Sequence, residues 1–141
     1  MWIVGEDMPQ ETNAITLHPS EKDQFGLPIP NVHYDDHAND LAMRNYAYKR
    51  GAAIYNAVGA TQVVEVPPYP STHNLGTCRQ SEKPAEGVCN KHGQTHDIKN
   101  LFISDGSQFS SSAAENPTLT IVTLAIRQAD YIAEQCSMRS I

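Results

Sequence analysis

Residues 116–133 read NPTLTIVTLAIRQADYIA, which is the strongest secondary-structure signal in the chain. Asn116 is a common N-cap residue and Pro117 suits a first helical turn, so we predict a helix over 117–134. Apolar residues surround most of its first half, which predicts a helix buried on nearly every side. In a chain of 141 residues, such burial implies that part of the covering structure lies elsewhere.

The amino-terminal half predicts a small antiparallel sheet followed by a long helix. Residues 12–18 alternate apolar and polar side chains, a turn rich in proline and glycine follows, and residues 29–34 resume an extended pattern. Over 36–58 apolar residues recur at helical spacing until Gly59 supplies a C-terminal stop. Gly51 interrupts this helix at a cost in stability, so close packing around it is expected.

Two further strands and one long loop complete the predicted fold. Residues 61–66 are a β-branched run closed by two prolines, and residues 100–104, NLFIS, are a compact apolar run, so both predict strands. Residues 67–98 carry few periodic apolar positions and many turn formers, which is typical of a loop that is either functional or disordered. The predicted class is α+β: a small antiparallel sheet with one long covering helix, then a strand and a buried C-terminal helix.

Composition and charge exclude several classes of protein. Ten Lys and Arg residues face 16 Asp and Glu residues, a net charge of -6, so the chain lacks the basic surface of nucleic-acid binders. No stretch approaches the roughly 20 apolar residues of a transmembrane helix. No two glycines lie nearer than six positions, which excludes glycine-rich nucleotide loops. Three cysteines cannot all pair, which favours a reducing, cytoplasmic location by default.

Two places set polar side chains where chemistry is favoured. His73 lies in the turn-rich string STHNLGTCR, where an imidazole can take or give a proton near neutral pH. Asn116 stands at the start of the last helix, where unpaired N–H groups favour negative charge. From local sequence alone, a loop histidine satisfied by hydrogen bonds and an ordinary helix cap are the simpler explanations.

Four strings in the chain carry a resemblance to a known family. They are KDQFGLP (22–28), HNLGTCR (73–79), NLFISDGS (100–107) and ENPTLTI (115–121). They resemble, in order and spacing, the strings D-x-x-G-x-P, H-x-x-G-T-C-R-M, N-L-x-V-x-D-A-S and N-P-x-x-T-I of the C-terminal part of flavin-dependent glucose-methanol-choline (GMC) oxidoreductases. Gln80 departs from the family's Met. The resemblance covers residues 12–135 and is nearest the gluconate and sugar dehydrogenase large-subunit branch.

The resemblance implies an FAD-dependent enzyme that oxidises the CH–OH group of an alcohol, sugar or polyol. His73 resembles the family's active-site base, which accepts the hydroxyl proton while hydride leaves for flavin N5. Asn116 resembles its partner, which hydrogen-bonds the substrate oxygen. Contacts with the cofactor are implied for Asn74, Asp105, Gly106, Pro117 and Thr118, and no metal ligand is implied.

The resemblance also implies that this chain is one part of a larger enzyme. Residues 1–141 correspond to a GMC C-terminal domain, in which 12–98 form the substrate-domain part and active-site loop and 99–135 return to the FAD-binding layer. Because the dinucleotide-binding loop is absent, most of the FAD site would lie outside the chain, and we expect no turnover from the chain alone. A small alcohol or sugar is the implied substrate and an electron-transfer subunit a further partner, and a periplasmic location stays open for the full-length enzyme.

Two alternatives from other classes stay open. Cys78, Cys89, His92 and His96 supply four zinc-ligand types, although their order differs from that of a classical zinc finger. The second alternative is a non-catalytic interaction module that keeps the fold and binds a full-length partner.

Overall fold

A computed structural model describes residues 1–69, 72–111 and 113–141, which form two compact units, Met1–Tyr69 and Pro70–Ile141. The elements in chain order are β1 (Ala14–Lys22), β2 (Pro28–His33), α1 (Ala38–Ala57), two short 3₁₀ helices (Pro84–Glu86 and Gly106–Gln108) and α2 (Thr118–Ser137). The α+β class and the small antiparallel sheet are confirmed. Among the described residues, neither helix combines the length and apolarity that crossing a membrane requires.

β1 and β2 form an antiparallel hairpin in which Ala14 pairs with His33 and Ile15 with Val32. The turn is tight because Asp23 Oδ1 accepts hydrogen bonds from the N–H groups of Phe25 (2.8 Å) and Leu27 (2.9 Å). Both predicted strands are confirmed. β1 is longer than predicted, since its pairing continues to Lys22 and leaves few residues for the turn.

Asn13 closes the base of this hairpin. Its Nδ2 donates to the carbonyl oxygen of Asp35 over 3.0 Å, and its Oδ1 accepts from the N–H of Asp35 over 2.9 Å. The chain therefore enters and leaves the hairpin at nearly the same point.

α1 begins at a reciprocal cap formed by two side chains. His37 Nδ1 accepts from the N–H of Asn39 over 3.1 Å, and Asp40 Oδ2 accepts from the N–H of His37 over 2.9 Å. After the helix ends at Ala57, Gly59 has φ +82, a left-handed conformation that glycine adopts without strain. The helix predicted over 36–58 is confirmed, with shorter ends.

The first eight residues, which we call the amino-terminal strap, run antiparallel along α1. Met8 contacts Asp40, Gly5 contacts Met43, Ile3 contacts Gly51, and the Met1 amino group donates to the Tyr55 hydroxyl. Gly51 is buried, which confirms the close packing expected there. The described residues do not show this helix covering the sheet, because α1 buries Asp40 and Gly51 under the strap and has no extensive contact with the hairpin.

The predicted strand over 61–66 is also wrong. These residues, all within the described part of the chain, form neither helix nor strand. Val64 and Val66 are exposed, and the Val66 carbonyl accepts a hydrogen bond from the Tyr48 hydroxyl over 2.7 Å. A β-branched run favours an extended backbone, but a strand also needs a paired neighbour, and here a side chain takes that place.

In its described residues the second unit contains one α-helix, two short 3₁₀ helices and a long irregular segment. The predicted loop over 67–98, described for 67–69 and 72–98, is irregular apart from the 3₁₀ helix 84–86 and isolated bridges. The predicted strand over 100–104 is wrong, because only Phe102 forms a bridge, to Gln94. The neighbouring residues Gln94 and Thr95 each form a single bridge rather than a strand, so pairing stops after one bridge.

α2 confirms the helix predicted over 117–134, and two details differ. Pro117 occupies the N-cap position in place of Asn116, and its carbonyl accepts from the N–H of Ile121 over 2.9 Å. Within this chain Leu119, Val122 and Ile126 are 79%, 49% and 61% exposed, so the burial predicted on nearly every side would need the covering structure that we expect to lie elsewhere. They form an apolar stripe, because nothing in the described residues covers that side of α2.

Candidate active site

Gly106 is the point at which three of the motif strings meet. It is buried, and a Cβ built on it would overlap Leu75 Cδ2, lie 3.2 Å from Ile121 Cδ1 and lie 3.6 Å from the Asn74 carbonyl oxygen. The segment that follows His73, the Asp-Gly turn and the first turn of α2 therefore pack against one another. Of the predicted site residues, Asn74 and Gly106 are brought together here.

Hydrogen bonds hold the loop that carries His73 against the 3₁₀ helix Gly106–Gln108. Cys78 N donates to Ser107 O over 2.9 Å, and Gln80 N donates to Gln108 O over 2.8 Å. The Gln80 side-chain amide also donates to Gln108 Oε1 over 2.6 Å. Gln80, which stands where the family string has Met, thus hydrogen-bonds through its side chain to the buried Gln108.

His73 and Asn116 both belong to the second unit. His73 is half-buried at the beginning of the loop, and Asn116 is exposed immediately before α2. Their convergence on one substrate atom, which the resemblance implies, stays a prediction.

The amino terminus of α2 is available to an electron-rich group. Pro117 offers no side-chain acceptor at the cap position, and the first turn contains no acidic residue. Thr118 is exposed in this turn. Uncapped N–H groups and the helix dipole favour negative charge at such a position.

The Asp105 carboxylate acts as the cap of the neighbouring 3₁₀ helix. Its Oδ1 accepts from Ser107 Oγ over 2.5 Å and from Ser107 N over 2.8 Å. These hydrogen bonds, the side-chain bond first, lower the pKa of Asp105. The side chain is therefore anionic near neutral pH and holds the turn in which Gly106 lies.

A hollow of about 230 Å³ lies beside these contacts. Its lining consists of Gln80, Gln108, Phe109, Ser110, Ser111 and Thr120. Five of these six residues carry an amide or a hydroxyl group, so the hollow offers hydrogen bonds to a polar ligand, although apolar atoms make up the larger part of its surface.

A second polar cluster, which the sequence did not predict, ties the long loop to α2. Gln128 is 5% exposed, and its Nε2 donates to the carbonyl oxygens of His92 (2.9 Å) and Ile103 (2.8 Å). The Tyr131 hydroxyl donates to Gln94 Oε1 over 3.3 Å. The sequence did hold one indication of this cluster: Gln128 stands among apolar residues of a predicted helix, and a buried amide needs hydrogen-bond partners.

The four candidates for zinc ligands do not assemble. Cys89 Sγ donates to the Cys78 carbonyl over 3.3 Å, and His96 Nε2 lies 3.2 Å from the Ser81 carbonyl oxygen. Burial, and then the neighbouring Cys78, raise the pKa of the Cys89 thiol, which favours the protonated form. In the described ranges, no group of three His, Cys, Asp or Glu side chains is arranged to hold a metal. The geometry therefore does not support the zinc alternative.

Comparison with known proteins agrees with the four strings. The family model described as GMC oxidoreductase, for the C-terminal domain, matches residues 9–125. Because this match covers most of the sequence, the chain belongs to the GMC oxidoreductase family. The predicted resemblance is thus confirmed.

Characterised relatives include enzymes named for alcohols and sugars. The chain is 42% identical over 140 residues to 2-methyl-1,2-propanediol dehydrogenase of Mycolicibacterium austroafricanum, covering 97% of this chain and 25% of that enzyme. It is 34% identical over 131 residues to the fructose dehydrogenase large subunit of Gluconobacter japonicus (90% and 24%). It is 24% identical over 141 residues to the gluconate 2-dehydrogenase flavoprotein of Pantoea cypripedii (93% and 23%). The chain thus spans about a quarter of the length of these relatives.

Proposed function

We propose that this chain is the C-terminal catalytic portion of an FAD-dependent oxidoreductase that acts on the CH–OH group of an alcohol, sugar or polyol. Family membership supports oxidoreductase chemistry. The observation that carries the proposal is the junction at Gly106, where the segment after His73 packs against the first turn of α2, which Asn116 precedes. The assignment of 12–98 and 99–135 to two layers of the whole enzyme belongs to the same proposal.

In the proposed reaction, His73 accepts the proton of the substrate hydroxyl group. Asn116 donates a hydrogen bond to the same oxygen and orients it. Removal of the proton builds alkoxide character on that oxygen, which favours departure of hydride from the adjacent carbon. FAD, when bound, supplies the hydride acceptor.

The residues present are compatible with a flavin near the start of α2. The uncapped first turn stabilises an anionic group by about 0.3–1 kcal/mol when exposed and by up to about 2 kcal/mol when partly buried. Asn74 and Asp105 are exposed, and Pro117 and Thr118 stand at the helix start, so a cofactor has access to them. Gly106 is covered by Leu75 and Ile121, which favours a packing role for this residue.

Substrate and partner follow from the same proposal. The hollow lined by amides and hydroxyls suits hydrogen bonding to a hydroxylated small molecule. An electron-transfer subunit is proposed as a further partner, because one relative is named as a large subunit. We also propose that the isolated chain does not turn over, since most of the FAD site is assigned to the remainder of the enzyme.

A graft into a full-length relative tests the proposal. Residues 12–135 replace the matching segment of 2-methyl-1,2-propanediol dehydrogenase, and the rate of flavin reduction by 2-methyl-1,2-propanediol is measured without oxygen. We expect His73→Ala to lower this rate by about 10²–10⁴-fold, the range for loss of a general base. His33→Ala, on the exposed hairpin, is the matched control and should leave the rate unchanged. An unaltered rate in the His73→Ala graft would remove His73 from the mechanism.

A further inference from the structure

Gln108 is a buried amide that lines the hollow of about 230 Å³, and it is only 3% exposed. Its Oε1 faces the protein, because it accepts from Gln80 Nε2 over 2.6 Å and would lie 3.4 Å from a Cβ built on Gly93. Its Nε2 donates no hydrogen bond to the described residues. Within the described ranges, His92 Nδ1 alone is both fully buried and without a partner, so Gln108 Nε2 keeps access to open space. Because the residue is otherwise enclosed, that space is the hollow.

Gln80 completes a pair of amides with opposite free ends. It is half-buried and also lines the hollow. The bond from Gln80 N to Gln108 O, over 2.8 Å, holds the two residues side by side. Gln80 Oε1 accepts no hydrogen bond from the described part of the chain, so the pair presents one free amide nitrogen and one free carbonyl oxygen. Turning both amides over exchanges these roles between the two residues and leaves the same two free groups.

The hollow is neutral and small. Each of its described lining residues is uncharged, and the ring of Phe109 offers an apolar wall to carbon atoms. A hydroxyl group can accept from Gln108 Nε2 and donate to Gln80 Oε1 at the same time. A carboxylate would give up water, find no cation and meet the Gln80 oxygen, which it cannot donate to. Whole ligand sites occupy roughly 300–1,000 Å³, so this hollow suits one end of a small ligand.

We propose that Gln80 and Gln108 form a hydroxyl-binding subsite that selects an uncharged polyol over a hydroxy acid. This inference deepens the proposed function and rests on it for the identity of the ligand as the substrate. Thr120, in the first turn of α2, lines the same hollow four residues after Asn116, so the subsite adjoins the helix start. The two amides hold a hydroxyl group other than the one that reacts, and they therefore act on binding rather than on the chemical step.

Glycerol tests the subsite in the 141-residue chain without any cofactor. On titration it should shift the side-chain amide resonances of Gln80 and Gln108, whereas those of Gln135, near the end of α2, should not move. Sodium glycerate, which has a carboxylate in place of one CH₂OH group, should bind at least about tenfold more weakly. Amide resonances that glycerol does not move, or equal binding of the two compounds, would overturn the proposal.

The family string supplies the variant that removes one amide. Gln80→Met, which has no amide to offer, should weaken glycerol binding about three- to tenfold, the range for loss of one hydrogen bond. The signals to follow are those of the Gln108 amide. Gln135→Met is the matched control and should leave glycerol binding unchanged. Glycerol binding that Gln80→Met leaves unaltered would remove Gln80 from the subsite.

A change of charge at the same position gives the opposite test. Gln80→Lys can still donate to Gln108 Oε1, and it brings a positive charge to the hollow. This variant should bind glycerate more tightly than glycerol, which reverses the preference. Gln135→Lys changes the net charge equally and should keep the preference for glycerol. A Gln80→Lys chain that still prefers glycerol would contradict the role assigned to the neutral lining.

The full-length graft tests whether the ligand is the substrate. Gln80→Met should raise the dissociation constant of 2-methyl-1,2-propanediol about three- to tenfold, while the limiting rate of flavin reduction changes less than about twofold. An unchanged dissociation constant would overturn the assignment of the subsite to the substrate. A graft insensitive to His73→Ala would instead contradict the proposed function, and the glycerol titrations would still decide whether the subsite binds a hydroxyl group.

Discussion

The imidazole ring of His92 lies flat on the phenol ring of Tyr131, with centroids 4.0 Å apart and planes inclined by 5°. Nδ1 of His92 is buried and has no hydrogen-bond partner among the described residues. Burial lowers the pKa of His92, the nearby charges of Arg127 and Lys91 lower it further, and Glu134 acts in the opposite direction. The folded second unit therefore favours neutral His92.

This arrangement predicts a loss of stability in mild acid. The unfolded chain binds the His92 proton more tightly than the folded chain does. Neutral His92 therefore costs the folded unit no stability above about pH 6.5, the ordinary histidine pKa. Stability is lost as the pH falls from there toward the lower pKa of His92 in the folded chain. We expect the thermal unfolding midpoint of the second unit, measured from its amide resonances, to be lower at pH 5 than at pH 7. His92→Phe keeps the stacking and should reduce this fall.

A matched variant separates protonation from packing. Phe102 packs edge-on against Tyr131, with centroids 6.3 Å apart, so Phe102→Leu weakens the aromatic cluster without removing a titrating group. It should lower the midpoint by a similar amount at every pH. An acid response as steep in His92→Phe as in the unaltered chain would contradict the role assigned to His92.

Removal of the Gln128 amide should destabilise the second unit. Gln128→Leu leaves the carbonyls of His92 and Ile103 without their donor, at roughly 1–3 kcal/mol for each buried acceptor left unsatisfied. The measurement is the free energy of unfolding in urea. Gln135→Leu on the same helix is the control, because the Gln135 side chain has no hydrogen bond to the described residues and should change little. Equal effects of the two replacements would argue against the Gln128 tie.

Two glycine-to-alanine replacements should change stability in opposite directions. Gly51→Ala places a methyl group in a helix interior with only ordinary contacts, so it should stabilise the first unit by about 0.5–1 kcal/mol. Gly93→Ala should destabilise the second unit by more than about 1–2 kcal/mol. Its φ of +71 is left-handed, and its Cβ would lie 2.5 Å from Ile103 O. Thermal unfolding of both variants checks the signs, and a stabilising Gly93→Ala would be inconsistent with the left-handed backbone of Gly93 and its close approach to Ile103 O.

Loss of the Asp40 carboxylate should loosen both the start of α1 and the amino-terminal strap. Asp40 is 2% exposed and accepts from His37 N (2.9 Å) and Met8 N (3.0 Å). Asp40→Ala should cost about 0.5–2 kcal/mol for the cap alone. Hydrogen exchange at the Met8 and His37 amides should accelerate, whereas Asp40→Asn, which keeps an acceptor oxygen, should preserve part of the protection. Unchanged exchange in Asp40→Ala would show that these bonds contribute little.

The sequence located the elements that depend on local patterns. Alternation and turn residues predicted the hairpin, helical spacing predicted α1 and α2, and Gly59 predicted the end of α1. The failed strands at 61–66 and 100–104 have the composition of strands, but pairing depends on a neighbour that composition does not reveal. The cover over α1 was missed for a similar reason, because the strap carries no periodic signal of its own.

For the candidate site, the strings predicted the family and which segments would matter. They did not predict how those segments meet, because the overlap of Leu75 with the space above Gly106 depends on side chains from distant parts of the chain. They also left Gln80 as an unexplained departure, whereas its amide bonds to Gln108 at 2.6 Å. The roles of His73 and Asn116 remain predictions for the graft to decide.

Two hydrogen bonds between the Asn13 side chain and the backbone of Asp35 hold the two ends of the β-hairpin together, so the hairpin could be replaced as a unit. Its two stems stand side by side, so a short flexible bridge between residues 13 and 35 would span the gap. The strap and α1 would then be joined directly, and the strap would lose the bond from the Tyr34 hydroxyl to Asp7 (3.1 Å) while keeping its contacts with α1. This gives protein engineers a natural place to exchange the hairpin for another of different length or chemistry, at a cost in chain entropy that grows only slowly with the size of the insert.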